Sequence, residues 1–478
     1  MKGVYFAEDF KKADLAADAD GIELTARAAL ALKEELEDVP GRLAVICGSG
    51  NNGGDGYALC CLLDRTGRKF DVFGFEGGKS DTCAFYYKKL VLNGISVKPV
   101  SAYVAEQYDV TADCIFGTGI NRSIEGIAAE VIAEINKCRF VISADIPSGL
   151  NADSGKIMGI AVRADKTVTF SSYKAGELIG GRNYCGKICV KDIGVKMPDA
   201  GINVIDALPE ELCNRKTDTH KGDYGRIAVI GGSEFMPGAP FLTSAAAYRA
   251  GAGLVKTVVP YCNLEAAKVK ASEEILGVLP VNPDNSVKFD RAALENLAGF
   301  DAVVCGPGMG GGETGKIVRF LMENYKKPLI LDADALNSVK EKDFIPSARD
   351  NGNIILTPHI KEFSRLTDKD TDSIKENIIK EVKEFSYRTG TVLLLKGATT
   401  VVCRNGRLLL NVTGSPCMAK AGSGDVLSGI IAALAVRTDT FSAAAYGAFI
   451  HGKAGLAAEN IRGVNSVIAR DLIDNIRY

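Results

Sequence analysis

The stretch Gly48-Ser-Gly-Asn-Asn-Gly-Gly-Asp-Gly56 follows the apolar run Leu43-Ala-Val-Ile-Cys47 and leads into Tyr57-Ala-Leu-Cys-Cys-Leu-Leu63. Its glycines at 48, 50 and 53 have the G-x-G-x-x-G spacing of a strand-to-helix turn that cradles a dinucleotide. Asn51, Asn52 and Asp55 sit inside that spacing. They add polarity that a turn holding only a pyrophosphate does not need.

The same grammar recurs outward from this point. Short β-branched runs such as "KFDVFGF", "ADCIFG", "FVISAD" and "KTVTFSS", then "GRIAVIGG", "GLVKTVVP", "DAVVCGPG", "PLILDAD", "NIILTP", "TVLLLKG" and "TTVVCRNG", alternate with longer helix-compatible segments. That alternation predicts α/β architecture with largely parallel sheets. Many runs end in a Gly- or Asp-containing motif, as the ligand-binding carboxyl edge of such a sheet requires. The polar stretch "LPEELCNRKTDTHKGDYG" interrupts the pattern before a fresh strand after Gly225. It predicts two domains, 1–212 and 213–478.

Size and composition agree. A chain of 478 residues, 46% hydrophobic and 24% charged, is long enough for several buried cores. A net charge of −2 gives no bulk electrostatic reason for a nucleic-acid or membrane partner. The start "MKGVYFAEDFKKADLAADADG" has no apolar signal core, and "VLSGIIAALAV" is too short to span a bilayer. The 13 cysteines are scattered without zinc spacing, which predicts reduced, mostly buried thiols and a cytoplasmic location.

Three strand ends of the first half carry chemistry together. The first holds Asn51, Asn52, Gly53, Gly54 and Asp55; the second runs from Asp113 through Gly117, Thr118, Gly119, Ile120, Asn121 and Arg122 to Ser123; the third is Ala144-Asp-Ile-Pro-Ser-Gly149. Taken singly, each also reads as an ordinary turn, with Asp55 capping a helix that starts near Tyr57. Jointly, glycine-rich backbone and Arg122 suit a phosphate. Asn52, Asp113 and Ser148 offer hard oxygen ligands for a cation, and Asp145 is an acid–base candidate. Glu76 stands about where a dehydrogenase holds its ribose, so these residues alone also fit an NAD-dependent Rossmann enzyme.

The motifs "CGSGNNGGDGYAL", "ADCIFGTGINRSI", "SADIPSGLNADSG" and "ADKTVTFSSYKAG" closely resemble the NAD(P)H-hydrate epimerase family, the YjeF N-terminal domain, over roughly residues 1–210. The resemblance implies a Rossmann-like three-layer α/β sandwich. It implies that Asn51 to Asp55 and Gly117 to Ser123 bind the hydrated nucleotide and that Asp145 is the catalytic acid–base residue. By the same match Asn52, Asp113 and Ser148 would ligate K+. The chain departs from the family at Leu24-Thr-Ala-Arg-Ala-Ala29, where relatives carry "MExAG", and at Ser49, where a proline is common.

In the second half the strongest motif is Ala421-Gly-Ser-Gly-Asp425-Val-Leu-Ser-Gly429 before an apolar helix. Small residues at a helix start leave N–H groups free for an anion, and an aspartate there can take a proton from an attacking hydroxyl. Asp425 also reads as a plain N-cap. "GGGETGK" at 310–316 mimics a P-loop, but Ile317 occupies the hydroxyl position that a magnesium site needs. Of the histidines, His359 at a strand end is a functional candidate, and His451 on an alanine-rich helix is a packing residue.

"THKGDYGRIAVIGGSEFMPGAP", "AAAYRAGAGLVKTVVP", "CGPGMG", "LILDADALN", "LTPHIKEFSRL", "LLLKGATT" and "NVTGSPCMAKAGSGDVLSGI" closely resemble the ADP/ATP-dependent NAD(P)H-hydrate dehydratases, over about 215–475. That resemblance implies a ribokinase-like three-layer α/β domain with Asp425 as base. It implies that Lys396, Gly397, Ala398, Thr399 and Thr400, with Ser415, Pro416, Cys417, Met418, Ala419, Lys420, Ala421, Gly422, Ser423 and Gly424, bind the nucleotide. Gly238, Ala239, Gly308, His359, Ile360, Lys361, Glu362, Phe363, Ser364 and Arg365 would contact the substrate, although Pro240 follows where relatives read "GAA".

These resemblances imply repair of hydrated NADH and NADPH, with ADP (or ATP) as co-substrate and Mg2+ on its phosphates, in a homo-oligomer. The residues themselves also fit a small-molecule kinase fused to a non-catalytic ligand- or RNA-binding module.

Overall fold

The computed structural model describes residues 2–344 and 352–478. The chain forms two compact units, 2–201 and 202–478. Segment 202–212 packs with the second: its strand pairs with Arg407–Asn411, and Ile205 and Leu212 enter that unit's core.

Strands of the first unit are β1 (Lys2–Tyr5), β2 (Leu43–Cys47), β3 (Phe70–Gly74), β4 (Val97–Pro99), β5 (Val110–Cys114), β6 (Phe140–Ala144), β7 (Lys166–Phe170), β8 (Tyr173–Lys174) and β9 (Lys187–Lys191). Its main sheet has the order β4-β3-β2-β5-β6-β7-β9, parallel throughout. β1 and β8 form a separate parallel pair. Every residue of β2 is buried because both faces of the sheet are covered. Leu43, Val45 and Cys47 point into one core layer and Ala44 and Ile46 into the other, the alternation that makes a three-layer sandwich.

After β2 the chain runs outward through β3 and β4, then returns to β5 on the other side. The sheet therefore reverses direction between β2 and β5. Ligand crevices open at the carboxyl ends flanking such a switch point. Residues 48–56 and 115–123 flank this one.

The second unit repeats the logic with β10 (Ile202–Val204), β11 (Arg226–Ile230), β12 (Leu254–Pro260), β13 (Ile275–Leu279), β14 (Ala302–Cys305), β15 (Leu329–Leu331), β16 (Ile354–Leu356), β17 (Val392–Leu395), β18 (Thr400–Arg404) and β19 (Arg407–Asn411). Their order is β13-β12-β11-β14-β15-β16-β17-β18-β19-β10. Pairing is parallel from β13 to β17, with the antiparallel hairpin β17-β18-β19 after it. Here the switch lies between β11 and β14. The helices Ser423–Ala435 and Thr440–Arg462 form the centre of the core, and the first is buried along nearly all of its length. An apolar helix of this kind belongs inside a domain.

Candidate functional site

In the first unit the helix after β2 begins at Asn51, with Gly50 as its N-cap, and runs to Leu63. This corrects the expectation of a loop followed by a helix near Tyr57. Asp55 caps nothing; it is a buried residue inside the helix, bonded by Thr25. Two glycines make so early a start possible. A Cβ on Gly48 would lie 2.0 Å from the Ile115 carbonyl oxygen, and one on Gly53 would lie 2.0 Å from the Gly48 carbonyl oxygen. Helix and strand thus touch backbone to backbone, and Asn52 and Asp55 are drawn inward. Asn51 stays exposed and accepts a hydrogen bond from Ser80 at 2.8 Å.

Asp145 follows β6 with φ 66°, the left-handed region that non-glycine residues seldom occupy. Its Oδ1 is 2.6 Å from Lys174 Nζ, and its Oδ2 accepts a hydrogen bond from Thr118 N at 3.3 Å. A Cβ on Gly117 would stand 2.9 Å from Asp145 Oδ2 and 3.6 Å from Asn52 Cβ. Asn52, Gly117 and Asp145 are therefore neighbours at one edge of the sheet. The loop continues through buried Ile120 to Asn121, Arg122 and Ser123, which are exposed.

Lys174 was not among the expected site residues, although it lies in the motif "SSYKAG". It is fully buried, donates to Thr169 Oγ1 at 2.6 Å and lies 4.7 Å from the centre of the Phe10 ring. Glu177 accepts from Lys174 N at 2.9 Å, while its Oε1 has no hydrogen-bond partner among the described residues. Burial pushes the Glu177 carboxyl group up to about 7, with Lys174 opposing.

A cation site was expected from Asn52, Asp113 and Ser148. Asp113 is buried and accepts from Ser148 Oγ at 2.5 Å, Ser148 N at 2.9 Å and Ser143 Oγ at 2.8 Å. Burial raises its pKa against those bonds. Both polar atoms of the buried Asn52 amide lack a hydrogen-bond partner among the described residues. A buried carboxylate beside two hydroxyls, with an orphaned amide at the same sheet edge, is a donor set of hard oxygens that fits a cation. Among the described residues no three His, Cys, Asp or Glu side chains cluster as a metal site, and all thirteen cysteines are free.

In the second unit Gly238 caps the helix Ala239–Arg249 just past β11, and Gly308 follows β14. A Cβ on Gly308 would meet Ala239 Cβ at 3.0 Å, so the switch point brings these residues together. His359 N-caps the helix Ile360–Thr367, accepting from Lys361 N at 3.1 Å and Glu362 N at 3.2 Å. Glu362 and Phe363 are buried, whereas Lys361 is exposed. Burial holds the His359 imidazole below its ordinary range.

The helix Ser423–Ala435 has Gly422 as N-cap, at φ 89°, and Asp425 as its third residue, so Asp425 is not the cap. Beneath it lies a buried network that the sequence reading missed. Asp332 accepts from Lys396 Nζ at 2.9 Å and from Ser428 Oγ at 2.7 Å. A Cβ on Gly424 would be 3.4 Å from Lys396 Nζ. The Lys396 ammonium, expected at nucleotide phosphates, thus points down onto Asp332. Burial raises the Asp425 carboxyl group to about 7, helped by Asp332 and Asp334 and opposed by Lys396. A carboxyl group titrating there is suited to take up and release a proton near neutrality.

Around this turn, Ser415 accepts from Cys417 N at 3.1 Å, Cys417 is buried, and Lys420 donates to Asn465 O at 2.6 Å. Gly397 and Ala398 are exposed, and Thr400 opens β18. His451, expected to be a packing residue, is buried, but its Nε2 lies 3.3 Å from Ser423 Oγ at the start of the Ser423 helix. Burial and Lys396 depress it to about 4.

Known proteins share this pair of units. Residues 227–477 match the family described as NAD(P)H-hydrate dehydratase, and residues 22–176 match the YjeF-related protein N-terminus. The bifunctional NAD(P)H-hydrate repair enzyme of Thermofilum pendens is 36% identical over 470 residues, covering 93% of this chain and 88% of that protein. The enzyme of the same description from Escherichia coli is 32% identical, covering 99% and 93%. Among solved structures, the ADP/ATP-dependent NAD(P)H-hydrate dehydratase of Bacillus subtilis, co-crystallized with ATP/Mg2+, aligns with TM-score 0.48 and 27% identity over 55% of this chain and 92% of that one.

Proposed function

Because the chain belongs to the family of bifunctional NAD(P)H-hydrate repair enzymes, we propose a division of labour between its units, with Asp145 serving epimerisation and Asp425 serving dehydration. The chain is an isomerase and a lyase acting on hydrated NADH and NADPH. The units 2–201 and 202–478 carry the two activities in that order.

In the first unit the hydrated dinucleotide lies along Asn51 to Asp55 and Gly117 to Ser123. Asp145 gives a proton to the ring hydroxyl as its C–O bond breaks to water and a ring-nitrogen-stabilised cation, and takes the proton back as water adds to the other face, while Lys174 holds the carboxylate in place and carries the balancing charge. Asn52, Asp113 and Ser148 would hold K+, which when bound supplies positive charge at the sheet edge. The orphaned amide of Asn52 supports that assignment.

In the second unit the S hydrate meets Gly238, Ala239, Gly308 and the segment His359 to Arg365. The nucleotide lies on Lys396 to Thr400 and Ser415 to Gly424, where the start of the Ser423 helix presents N–H groups to phosphate. Asp425 takes the hydroxyl proton as that oxygen attacks the terminal phosphoryl group. One O–P bond forms and the phosphoanhydride bond breaks. Phosphate then leaves the ring carbon, the adjacent carbon loses a proton, and the dihydronicotinamide double bond is restored. With ADP as donor, the products are NAD(P)H, AMP and phosphate. Mg2+ comes with the nucleotide phosphates, as is usual for such substrates.

The observation that carries the dehydratase assignment is Asp425 in the first turn of a buried helix, with its carboxyl group near 7. A cytoplasmic homo-oligomer is the form in which we expect the enzyme to work. The test is incubation of the purified chain with mixed R and S hydrates, with and without ADP, following absorbance of the reduced ring. Full nucleotide-dependent recovery is expected. Recovery of the S fraction alone rejects the epimerase, and a stable phosphorylated product rejects the dehydratase in favour of a kinase.

A further inference from the structure

Asp332 follows β15 with a side chain 2% exposed, directly under the first turn of the Ser423 helix. It is the meeting point of three elements. Its Oδ1 holds Lys396, the residue after β17, at 2.9 Å, and its Oδ2 holds Ser428 from the second turn of the helix at 2.7 Å. Ser428 Oγ also lies 3.2 Å from the Gly424 carbonyl oxygen. The residue after Asp332, Ala333, has φ 50°, a left-handed conformation that a side chain disfavours. Such a backbone persists only where its surroundings fix it. The chain thus bends at 333 while keeping the Asp332 carboxylate buried.

Resting on the dehydratase reading above, we propose that Asp332 is a positioning residue for dehydration: through Ser428 and Lys396 it fixes the turn that carries Asp425 and sets the charge that Asp425 faces. The other groups around Asp425 come from separate elements. Asp334 lies beyond β15, Lys396 follows β17, Glu362 lies 3.9 Å from Lys396 Nζ on the Ile360 helix, and His451 approaches Ser423 from the Thr440–Arg462 helix. Asp332 is the negative charge nearest to balancing Lys396, so removing either member changes the field at Asp425 with opposite sign. Removing Asp332 leaves the ammonium only its longer contact with Glu362, a net gain of positive charge that favours ionised Asp425. Removing Lys396 leaves the Asp332 carboxylate with hydroxyl donors alone, which disfavours it.

The test uses the full chain and the pH profile of kcat/KM for ADP-dependent dehydration. Asp332→Asn is expected to lower kcat/KM at pH 8 about tenfold and to move the acid limb down by about one pH unit. Lys396→Met is expected to move the same limb up. Epimerisation, which the first unit performs, is expected to stay at the wild-type rate and reports that the chain is intact. If Asp332→Asn fails to fold in the second unit, the Lys396→Met profile decides alone: an upward limb supports the role, an unmoved one overturns it. Lower activity with both limbs unmoved means that Asp332 is only structural, which also overturns it. Absence of ADP-dependent dehydration in the wild type rejects the dehydratase reading itself.

Discussion

Lys174 Nζ lies 2.6 Å from Asp145 Oδ1, and the lysine side chain has no solvent exposure while the aspartate retains 18%. The ammonium is thus hidden behind the carboxylate it serves, with Thr169 as its other hydrogen-bond partner. A cation so placed orients Asp145 and leaves the aspartate to face the crevice.

Lys174→Met is therefore expected to lower epimerisation by about 100-fold or more, on the scale of a misplaced acid–base group, without lowering ADP-dependent dehydration of pure S hydrate. Conversion of R to S hydrate, followed by chromatography, reads the effect. An unchanged rate would remove Lys174 from the site.

Asp425 sets two opposite expectations. Its activity as a base needs the ionised form, so kcat/KM for dehydration should climb through about pH 7 and level above it. Stability moves the other way. A folded pKa above the unfolded value near 3.9 means that the folded state keeps its proton longer, so this group weakens folding progressively from about pH 4 to 7 and by a constant amount above. Asp425→Asn should abolish dehydration yet stabilise the second unit at pH 8 by about 2 kcal/mol, with little gain at pH 4. Urea denaturation at both pH values checks the sign.

His451 carries the reverse linkage. Its folded value of about 4 lies below the ordinary 6.5, so the unfolded chain takes up a proton first as pH falls. Stability from this residue is whole above pH 6.5 and is lost on acidification towards 4. His451→Gln should show a shallower loss of second-unit stability between pH 7 and 4.5 than the wild type.

Gly53 and Gly50 lie in the same motif but should tolerate alanine very differently. At 53 the new methyl would meet the Gly48 carbonyl oxygen at 2.0 Å, whereas at 50 nothing lies within 4 Å. Gly53→Ala should cost about 3 kcal/mol or more and lose epimerisation, and Gly50→Ala should be near neutral in thermal melts. Equal behaviour of the two would contradict the backbone contact.

For the cation, Asn52→Leu removes the orphaned amide while keeping similar bulk. Epimerisation by the wild type should fall when K+ is replaced by tetramethylammonium, and the variant should lose that dependence. A K+ response equal in both would falsify the role of Asn52.

Much of this was legible in the sequence because strand ends in a parallel sheet advertise themselves. "LAVIC" before glycines, "SADIPSG" and "AGSGD" each mark a carboxyl edge, and the structure puts each at one. Exact boundaries were not legible: that the helix starts at Asn51 depends on a backbone contact between Gly48 and Gly53, which no periodicity encodes. β19 was overlooked, although Asn405-Gly406, both with positive φ, is a strong hairpin signal. β13, "ILGVL", is a half-exposed edge strand, so its pattern is weak. Lys174 and Asp332 were missed for a different reason. Each lies far in sequence from its partner, Asp145 or Lys396, and only the folded sheet makes them neighbours.

The left-handed backbone at Asp145 has a consequence for how this position can change over time. Glycine would relieve the torsion at φ 66°, a gain of about 1 kcal/mol, while discarding the carboxylate. The same change would strand the buried Lys174 ammonium without its carboxylate, a cost of about 3 kcal/mol or more. Stability and epimerisation therefore hold residue 145 together, and a lineage in which the R hydrate never accumulated would have to lose Lys174 along with Asp145 before the turn could relax.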